Sequence, residues 1–357
     1  MDFSRLVNKH ILDLVPYQSA RRIGGHGHTF LNANESPKCD TFLMNSLKLN
    51  RYPDCQPGEL LESYGGYCGL RQDHILISRG SDEAIGLIIR AFCSWDEGIV
   101  IAQPTYGMYA VAAATNHVQV ACARREADFS LKAAAVIEAA QVAPFTVKAV
   151  FIDSPGNPLG VVFPQEELKA LLEGLPDTLV VVDEAYIEFA PEKDVTRLVT
   201  EYPSLIVTRT LSKAFALAGI RCGFTLANPE VIKLLLKVID PYPVPDPVAQ
   251  IALQALTPMG LKLMQARVAD CLKRRGILES ALRTLKCVDK IFDSQANFLL
   301  IRFRDGPKVF SRLAERGIIV RSFEDKPGLE NCLRITIGSA EELEEVMRLL
   351  QLLDGED

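Results

Sequence analysis

The 357-residue chain has no C-x-x-C pair, no run of like charges, no internal repeat and no low-complexity tract. Each absence removes a class of protein. The nine cysteines (Cys39, Cys55, Cys68, Cys93, Cys122, Cys222, Cys271, Cys287 and Cys332) are scattered, so their spacing suggests neither a disulfide framework nor a zinc knuckle. Reduced thiols in a cytosolic protein fit best. Acidic residues (45) outnumber basic ones (39), giving a formal net charge of −6 with no basic tract for a polyanion. No apolar segment reaches the ~18 uninterrupted residues of a membrane span. The opening MDFSRLVNKHILDLVPYQ lacks the apolar core and cleavage site of a signal peptide. The pair of imidazoles in GGHGH (Gly24 to His28) has no third ligand nearby, so it reads as a flexible loop and no metal is expected. The expectation is a soluble, cytoplasmic protein that binds neither nucleic acid nor membrane.

What is present is apolar material, 48% of the residues, enough for a large core in two or three domains or in one large domain with a smaller appendage. The central half alternates short β-branched runs, polar or glycine-containing turns and longer amphipathic segments. That alternation implies a mostly parallel sheet flanked by helices. The runs are His74–Ser78, Gly98–Ala102, Lys148–Ile152, Thr178–Val182 and Ser204–Thr208. They lead into RGSDEAIGLIIRAF, QPTYGMY, DSPGNP, DEAY and RTLSK. After Gly223 a helix-like stretch, Pro229 to Ile239, meets DPYPVPDP, whose four prolines mark a stiff connection. A long helical segment from about Val248 to Leu285 and three strand-like runs follow: Asn297–Phe303, Gly317–Phe323 and Leu333–Gly338. A final helix is signalled by a Ser339 cap. The expected division is an N-terminal arm over 1–35, a large domain over 36–245 and a small α+β C-terminal domain over 246–357.

In an open parallel sheet, ligands sit in the crevice beyond the carboxyl ends of the strands. Five run ends would there bring together Ser81 and Asp82 at a helix start, Tyr106, Asn157, Asp183 with Tyr186, and Thr210, Ser212 and Lys213. A pyridoxal phosphate site needs this set: a lysine for a Schiff base, a carboxylate for the pyridine nitrogen and hydrogen bonds for the ring oxygen. The Arg79-Gly80-Ser81-Asp82 helix start and the fork of Arg221 could supply donors for the phosphate. Singly, each residue has an ordinary reading: Lys213 as a surface charge, Asp183 as a helix cap, Asn157 as a turn former, Tyr106 as packing. The conjunction at successive strand ends favours the site.

The segments LVPYQSARR, LNANESP, RYPDCQP, ISRGSDEAIGLIIRAF, QPTYGMY, VVDEAYIEF, RTLSKAFALAGIRCGF and LRITIG make the sequence similar, over nearly its whole length, to the fold-type I pyridoxal-phosphate aminotransferases. More narrowly, it resembles the bacterial histidinol-phosphate aminotransferase family. The resemblance implies an α/β fold, with a large domain on a mostly parallel central sheet and a small α+β domain. It also implies transfer of an amino group between histidinol phosphate or imidazole acetol phosphate and glutamate or 2-oxoglutarate, in ping-pong fashion, in histidine biosynthesis. Lys213, Asp183 and Tyr186 would be catalytic. Asn157 and Tyr186 would hold the ring oxygen, Tyr106 would stack on the ring, and Ser81, Asp82, Thr210, Ser212 and Arg221 would hold the phosphate. Tyr52 of RYP would reach the active site of the neighbouring subunit in a homodimer.

Arg334 and Arg321 would clamp a carboxylate or phosphate of the substrate, with Tyr17 and Asn34 as further substrate contacts; a structural tyrosine and a turn asparagine are the ordinary alternatives for the last two. One departure stands out: the family turn S-P-N-N-P-T-G reads Ser154-Pro-Gly-Asn-Pro-Leu-Gly160 here. Asn157 is kept, while Leu159 replaces a hydroxyl that could cap the next helix. Rivals on the same scaffold are a threonine-phosphate decarboxylase-like enzyme and an aromatic aminotransferase. The rival from another class is a non-catalytic sensor of a phosphate ligand.

Overall fold

The computed structural model describes residues 3–16, 26–47 and 49–356, so Tyr17 lies outside the described residues. The strands are β1 (Thr29–Phe30), β2 (Ile75–Ser78), β3 (Glu97–Ile101), β4 (Gln119–Cys122), β5 (Thr146–Asp153), β6 (Leu179–Asp183), β7 (Leu205–Thr210), β8 (Gly223–Ala227), β9 (Val288–Ile291), β10 (Phe298–Phe303), β11 (Ile318–Ile319), β12 (Arg321–Ser322) and β13 (Cys332–Thr336). The helices are α1 (Lys9–Leu12), α2 (Gly58–Cys68), α3 (Ser81–Phe92), α4 (Met108–Thr115), α5 (Ala133–Val142), α6 (Gln165–Gly174), α7 (Pro229–Leu235), α8 (Asp246–Ala255), α9 (Pro258–Leu282), α10 (Gly306–Glu315) and α11 (Ala340–Glu356).

Seven strands form one sheet in the order β2-β8-β7-β6-β5-β3-β4. The inner strands are apolar on both faces, as a sheet covered by helices on both sides requires. Successive side chains point to opposite faces: Val150 and Ile152 of β5, Val180 and Val182 of β6, and Leu205 and Val207 of β7 join one core cluster. Phe151, Val181 and Ile206 join the other. The sheet is mixed, because β8 runs antiparallel to both β2 and β7. That reversal brings the beginning of β8 to the edge where the parallel strands end, with Gly223 beside both Ser78 and Thr210.

The C-terminal half builds an antiparallel sheet, β12-β13-β10-β9. The expected long helical segment is two helices, because Thr257 accepts the Gly260 N–H at 3.1 Å and Pro258 opens α9, a start signal inside the helical pattern. The run Gly317–Phe323 divides as well. Its first half pairs with β1 and its second half with β13. Through that pairing the residues after β1 are held against the small sheet: Leu31 N–H donates to Ile319 O at 2.7 Å and Thr336 N–H to Leu31 O at 3.0 Å. Strands β4 and β9 escaped the sequence reading because they lie at sheet edges and are only partly buried. No helix among the described residues is long and apolar enough to cross a membrane.

Ile206 is fully buried in the middle of β7. Truncating it to alanine removes the transfer free energy of three carbons and leaves a cavity, so Ile206→Ala should lower the unfolding free energy by about 2–5 kcal/mol. Urea unfolding followed by circular dichroism measures this; a loss below about 1 kcal/mol would mean that β7 is not packed on both faces.

Candidate active site

The carboxyl ends of the parallel strands and the start of β8 meet at one edge of the large sheet. Lys213 stands in the turn that follows β7, half-buried, with Nζ donating to Ala33 O at 3.1 Å and lying 5.7 Å from the Tyr186 ring centre. Burial, with the nearby Arg334 guanidinium second, lowers its pKa to about 8. About a tenth of the amine is therefore neutral and nucleophilic at pH 7, against less than a thousandth for an exposed lysine.

Asp183 closes β6 and is buried, and burial pushes its carboxyl up to about 7. It accepts from the Tyr109 hydroxyl at 3.0 Å and from Ala185 N–H at 3.2 Å. No ion pair to Asp183 occurs among the described residues, so a buried acid faces the site ready for a cationic N–H. Tyr186, three residues on, is also buried, which raises its phenol to about 12 and keeps it a hydrogen-bonding hydroxyl. Its oxygen accepts from Asn34 Nδ2 at 2.9 Å.

A second cluster surrounds the start of α3. The N-cap residue Gly80 has a positive φ of 78° and no side chain to offer the first N–H groups, which leaves them for an anion. Arg221, itself in the left-handed region at φ 55°, directs Nη2 to Asp82 Oδ2 at 3.0 Å and Nη1 to Ser212 Oγ at 3.2 Å. Thr210 Oγ1 donates to Ser212 Oγ at 2.8 Å, and the Tyr106 hydroxyl donates to Asp82 Oδ1 at 2.8 Å. A Cβ on Gly80 would stand 2.6 Å from Arg221 Nη2, and one on Gly223 would stand 2.7 Å from Ser81 N. Glycine at both positions lets the guanidinium and the helix start close on one small space. As a carboxylate, Asp82 cannot itself donate to an anion. Its side chain orients Arg221 and Tyr106, and its backbone N–H belongs to the helix start.

From the small sheet comes Arg334, buried on β13. Its Nη1 donates to Asn157 Oδ1, and its Nη2 donates to Asn32 O at 2.6 Å. Arg321 is its neighbour across the β12–β13 pair, and both guanidiniums lie within 6 Å of the Phe323 ring, at 5.9 Å for Arg321 and 5.8 Å for Arg334. Arg321 Nη1 is buried without a hydrogen-bond partner among the described residues.

Thirteen of the fifteen residues expected from the sequence thus gather at this edge: Ser81, Asp82, Tyr106, Asn157, Asp183, Tyr186, Thr210, Ser212, Lys213, Arg221, Asn34, Arg321 and Arg334. Asn34 is buried, with its side chain held between Tyr186 and Thr336. Tyr52 stands apart: it is 81% exposed and stacks on Tyr242 with ring centres 4.4 Å apart. Tyr17 is outside the described residues.

The sequence reading missed Tyr109, although it lies three residues, about one helical turn, beyond Tyr106. It also missed the fully buried pair beneath the site, Arg209 and Glu184, joined by Nη2–Oε2 at 2.6 Å. Both residues flank motif positions already in view, so an acid after Asp183 and an arginine before Thr210 were the available signal. No group of three or more histidine, cysteine, aspartate or glutamate residues among those described could hold a metal ion.

A family model for aminotransferases of class I and II matches residues 33–350. The histidinol-phosphate aminotransferase of Aeromonas hydrophila subsp. hydrophila is similar at 50% identity over 357 residues, covering 98% of this chain and 98% of that protein. The histidinol-phosphate aminotransferase 1 of Pasteurella multocida is 48% identical, covering 98% of this chain and 99% of that protein. Among solved structures, histidinol-phosphate aminotransferase from Sinorhizobium meliloti in complex with pyridoxal-5'-phosphate has a TM-score of 0.86 over 99% of each chain, at 23% identity. This last match is a likeness of fold.

The depressed pKa of Lys213 is open to direct measurement. Its rate of reductive methylation, followed by peptide mass spectrometry in the cofactor-free protein, should rise with pH through a midpoint near 8. Arg334→Gln removes a positive neighbour and should move that midpoint upward. A midpoint near the ordinary lysine value of about 10.4 would show that the amine is solvated.

Proposed function

We infer the activity from one premise: the chain belongs to the class I and II aminotransferase family. Within it, the proposed reaction is transfer of an amino group between L-histidinol phosphate or imidazole acetol phosphate and glutamate or 2-oxoglutarate, with pyridoxal phosphate as the cofactor. The observation that carries this reading is the meeting of Lys213, from the large sheet, with a buried arginine from the small sheet that also reaches Asn157.

Pyridoxal phosphate is supported by three features of the site. Asp183 is a buried carboxyl raised to about 7, and a protonated ring nitrogen would give it the cationic partner it lacks among the described residues. Gly80 and Gly223 leave room for a phosphate between the start of α3 and the Arg221 fork. Lys213 is a largely desolvated amine suited to attack a carbonyl. When bound, pyridoxal phosphate supplies an electron sink for the bond broken at the substrate's Cα.

The chain's residues divide the remaining work. Lys213 Nζ would anchor the cofactor and, when freed, would carry the proton between the substrate's Cα and the cofactor carbon that bears the amine. Asp183 keeps the ring nitrogen protonated, with Tyr109 holding the carboxylate in place. Asn157 and Tyr186 hold the ring oxygen, Tyr106 lies against the ring, and Ser81, Thr210, Ser212, Arg221 and the Asp82 backbone hold the phosphate. Arg334 and Arg321 receive the anionic group of either substrate. Because the first substrate would leave its amino group behind and depart before the second binds, ping-pong kinetics are expected. Asn34, bonded to the Tyr186 hydroxyl, and Tyr17 are further proposed substrate contacts.

We also propose a homodimer. Tyr52 is exposed near other large exposed apolar side chains, Leu43, Met44, Leu47 and Leu49, a surface suited to a second copy of the chain. In that dimer Tyr52 would reach the phosphate of the neighbouring site.

The test is transamination with L-histidinol phosphate and 2-oxoglutarate, followed by glutamate release. Lys213→Ala should reduce turnover by at least about a thousandfold. Arg334→Ala should raise KM by about 10- to 100-fold, the loss of a charge-assisted pair. Release of CO2 from threonine phosphate without glutamate formation would favour the decarboxylase, and turnover of aromatic amines alone would favour an aromatic aminotransferase. Ligand binding with no turnover of any amine would favour the sensor.

A further inference from the structure

Asp153 has no role in the reaction described above, yet it is buried and well bonded at the same edge. It closes β5 directly opposite Asp183 of β6. Its Oδ1 accepts from Thr105 Oγ1 at 2.8 Å, and its Oδ2 accepts from Asn157 N–H at 2.7 Å and Tyr106 N–H at 3.2 Å. The two backbone donors belong to different loops, one following β3 and one following β5. Those loops carry the two side chains proposed to meet the cofactor's ring face and ring oxygen.

The counter-charge is buried too. Arg125 Nη2 lies 3.8 Å from Asp153 Oδ1, and both side chains are almost wholly shielded from solvent. Arg125 is fixed in turn by Nε donating to Ala102 O at 2.9 Å and Nη1 donating to Phe129 O at 3.1 Å. Burial raises the Asp153 pKa, and the Arg125 guanidinium and the hydrogen bonds from Asn157 and Thr105 oppose that shift, so the buried carboxyl is paired and hydrogen-bonded.

The unusual turn Ser154-Pro-Gly-Asn-Pro-Leu-Gly160 fits around this carboxylate. A Cβ at Gly156 would lie 3.3 Å from Asp153 O, slightly tighter than ordinary contact, and 3.4 Å from Asp153 Oδ1, an ordinary contact. Leu159, the other departure, is buried against Phe292, Leu300, Leu329 and Cys332, so the far side of the turn is anchored on the C-terminal half. Leu159 replaces a helix-capping hydroxyl by apolar burial.

We propose that Asp153 is a positioning residue that sets Tyr106 and Asn157 in a fixed mutual geometry, with Arg125 as its buried counter-ion. The proposal rests on the pyridoxal phosphate reading of the site. Asp153→Asn keeps the shape but offers the two backbone N–H groups a neutral, weaker acceptor, places its NH2 toward Thr105 and Arg125, and leaves Arg125 uncompensated. In the cofactor-free protein, amide exchange at Asn157 and Tyr106 should accelerate about tenfold or more. The dissociation constant for pyridoxal phosphate should rise about tenfold, and the pH midpoint of its visible absorbance band should move.

A double variant, Asp153→Asn with Arg125→Met, removes the uncompensated charge. It should recover the thermal midpoint but neither the amide protection nor the cofactor affinity. If Asp153→Asn fails to fold, Thr105→Val removes one donor, leaves the ion pair, and should weaken cofactor binding by about 2- to 10-fold. Unchanged amide exchange and affinity in Asp153→Asn, or recovery of both in the double variant, would overturn the proposal and leave Asp153 as half of a structural ion pair. A wild-type protein that forms no visible band with pyridoxal phosphate would instead overturn the cofactor reading, while the amide exchange would still report on Asp153.

Discussion

Strands β5 and β6 end in register, with Asp153 opposite Asp183 and both carboxyls buried, so each resists ionisation unless a partner stabilises its charge. Much of the site is arranged around that constraint. The Asp153 carboxylate is satisfied from inside the chain, by Thr105, Tyr106, Asn157 and Arg125. Asp183 receives the Tyr109 hydroxyl and one backbone N–H, and no cation pairs with it among the described residues. Two similar acids at one sheet edge thus differ in what they can still bind. The first is suited to fixing loops and the second to holding a protonated nitrogen, a separation by environment of the kind seen wherever two acids at one site take different roles.

The same edge is tied to the C-terminal sheet by a chain of contacts. Parallel pairing of β1 with β11 holds the strip from Leu31 to Asn34 against β13, and from there Asn34 reaches Tyr186. Arg334 spans the gap in the other direction, from β13 to Asn157 and to Asn32. Lys213, which donates to Ala33 O, therefore sits at a seam between sheets. A binding site at such a seam can sense both a cofactor held by one sheet and a substrate anion held by the other.

How much of this was legible in the sequence depended on whether a residue's place followed from local pattern or from register. Asp183 and Lys213 were legible because each ends or follows an apolar run, and the carboxyl ends of parallel strands converge. Arg221 was legible as a phosphate donor from its guanidinium fork and its closeness in sequence to Lys213, but its place follows from β8 entering the sheet antiparallel, which no local pattern announces. Asp153 ends an apolar run as Asp183 does. Its importance depends on the β5–β6 register and on two loops distant in sequence. The break between α8 and α9 was readable in principle, from Thr257 followed by Pro258, but the helical periodicity on either side obscured it. The division of Gly317–Phe323 between two sheets is a tertiary choice, made by its partners in β1 and β13.

The two arginines of the small sheet show why neighbouring like charges need not be redundant. Arg334 is held by Asn157 and Asn32, so its position is set by both sheets before any substrate arrives. Arg321 lies beside it on β12, and its Nη1 is buried without a hydrogen bond among the described residues. Leaving such a donor unsatisfied costs about 1–3 kcal/mol, which an arriving anion can recover. Phe323, close to both guanidiniums, gives the pair an apolar support. A fixed fork beside an unsatisfied one can grip a planar carboxylate through the first and accommodate a tetrahedral phosphate through the second. That is the combination required of an enzyme whose two alternating substrates carry different anions in one site.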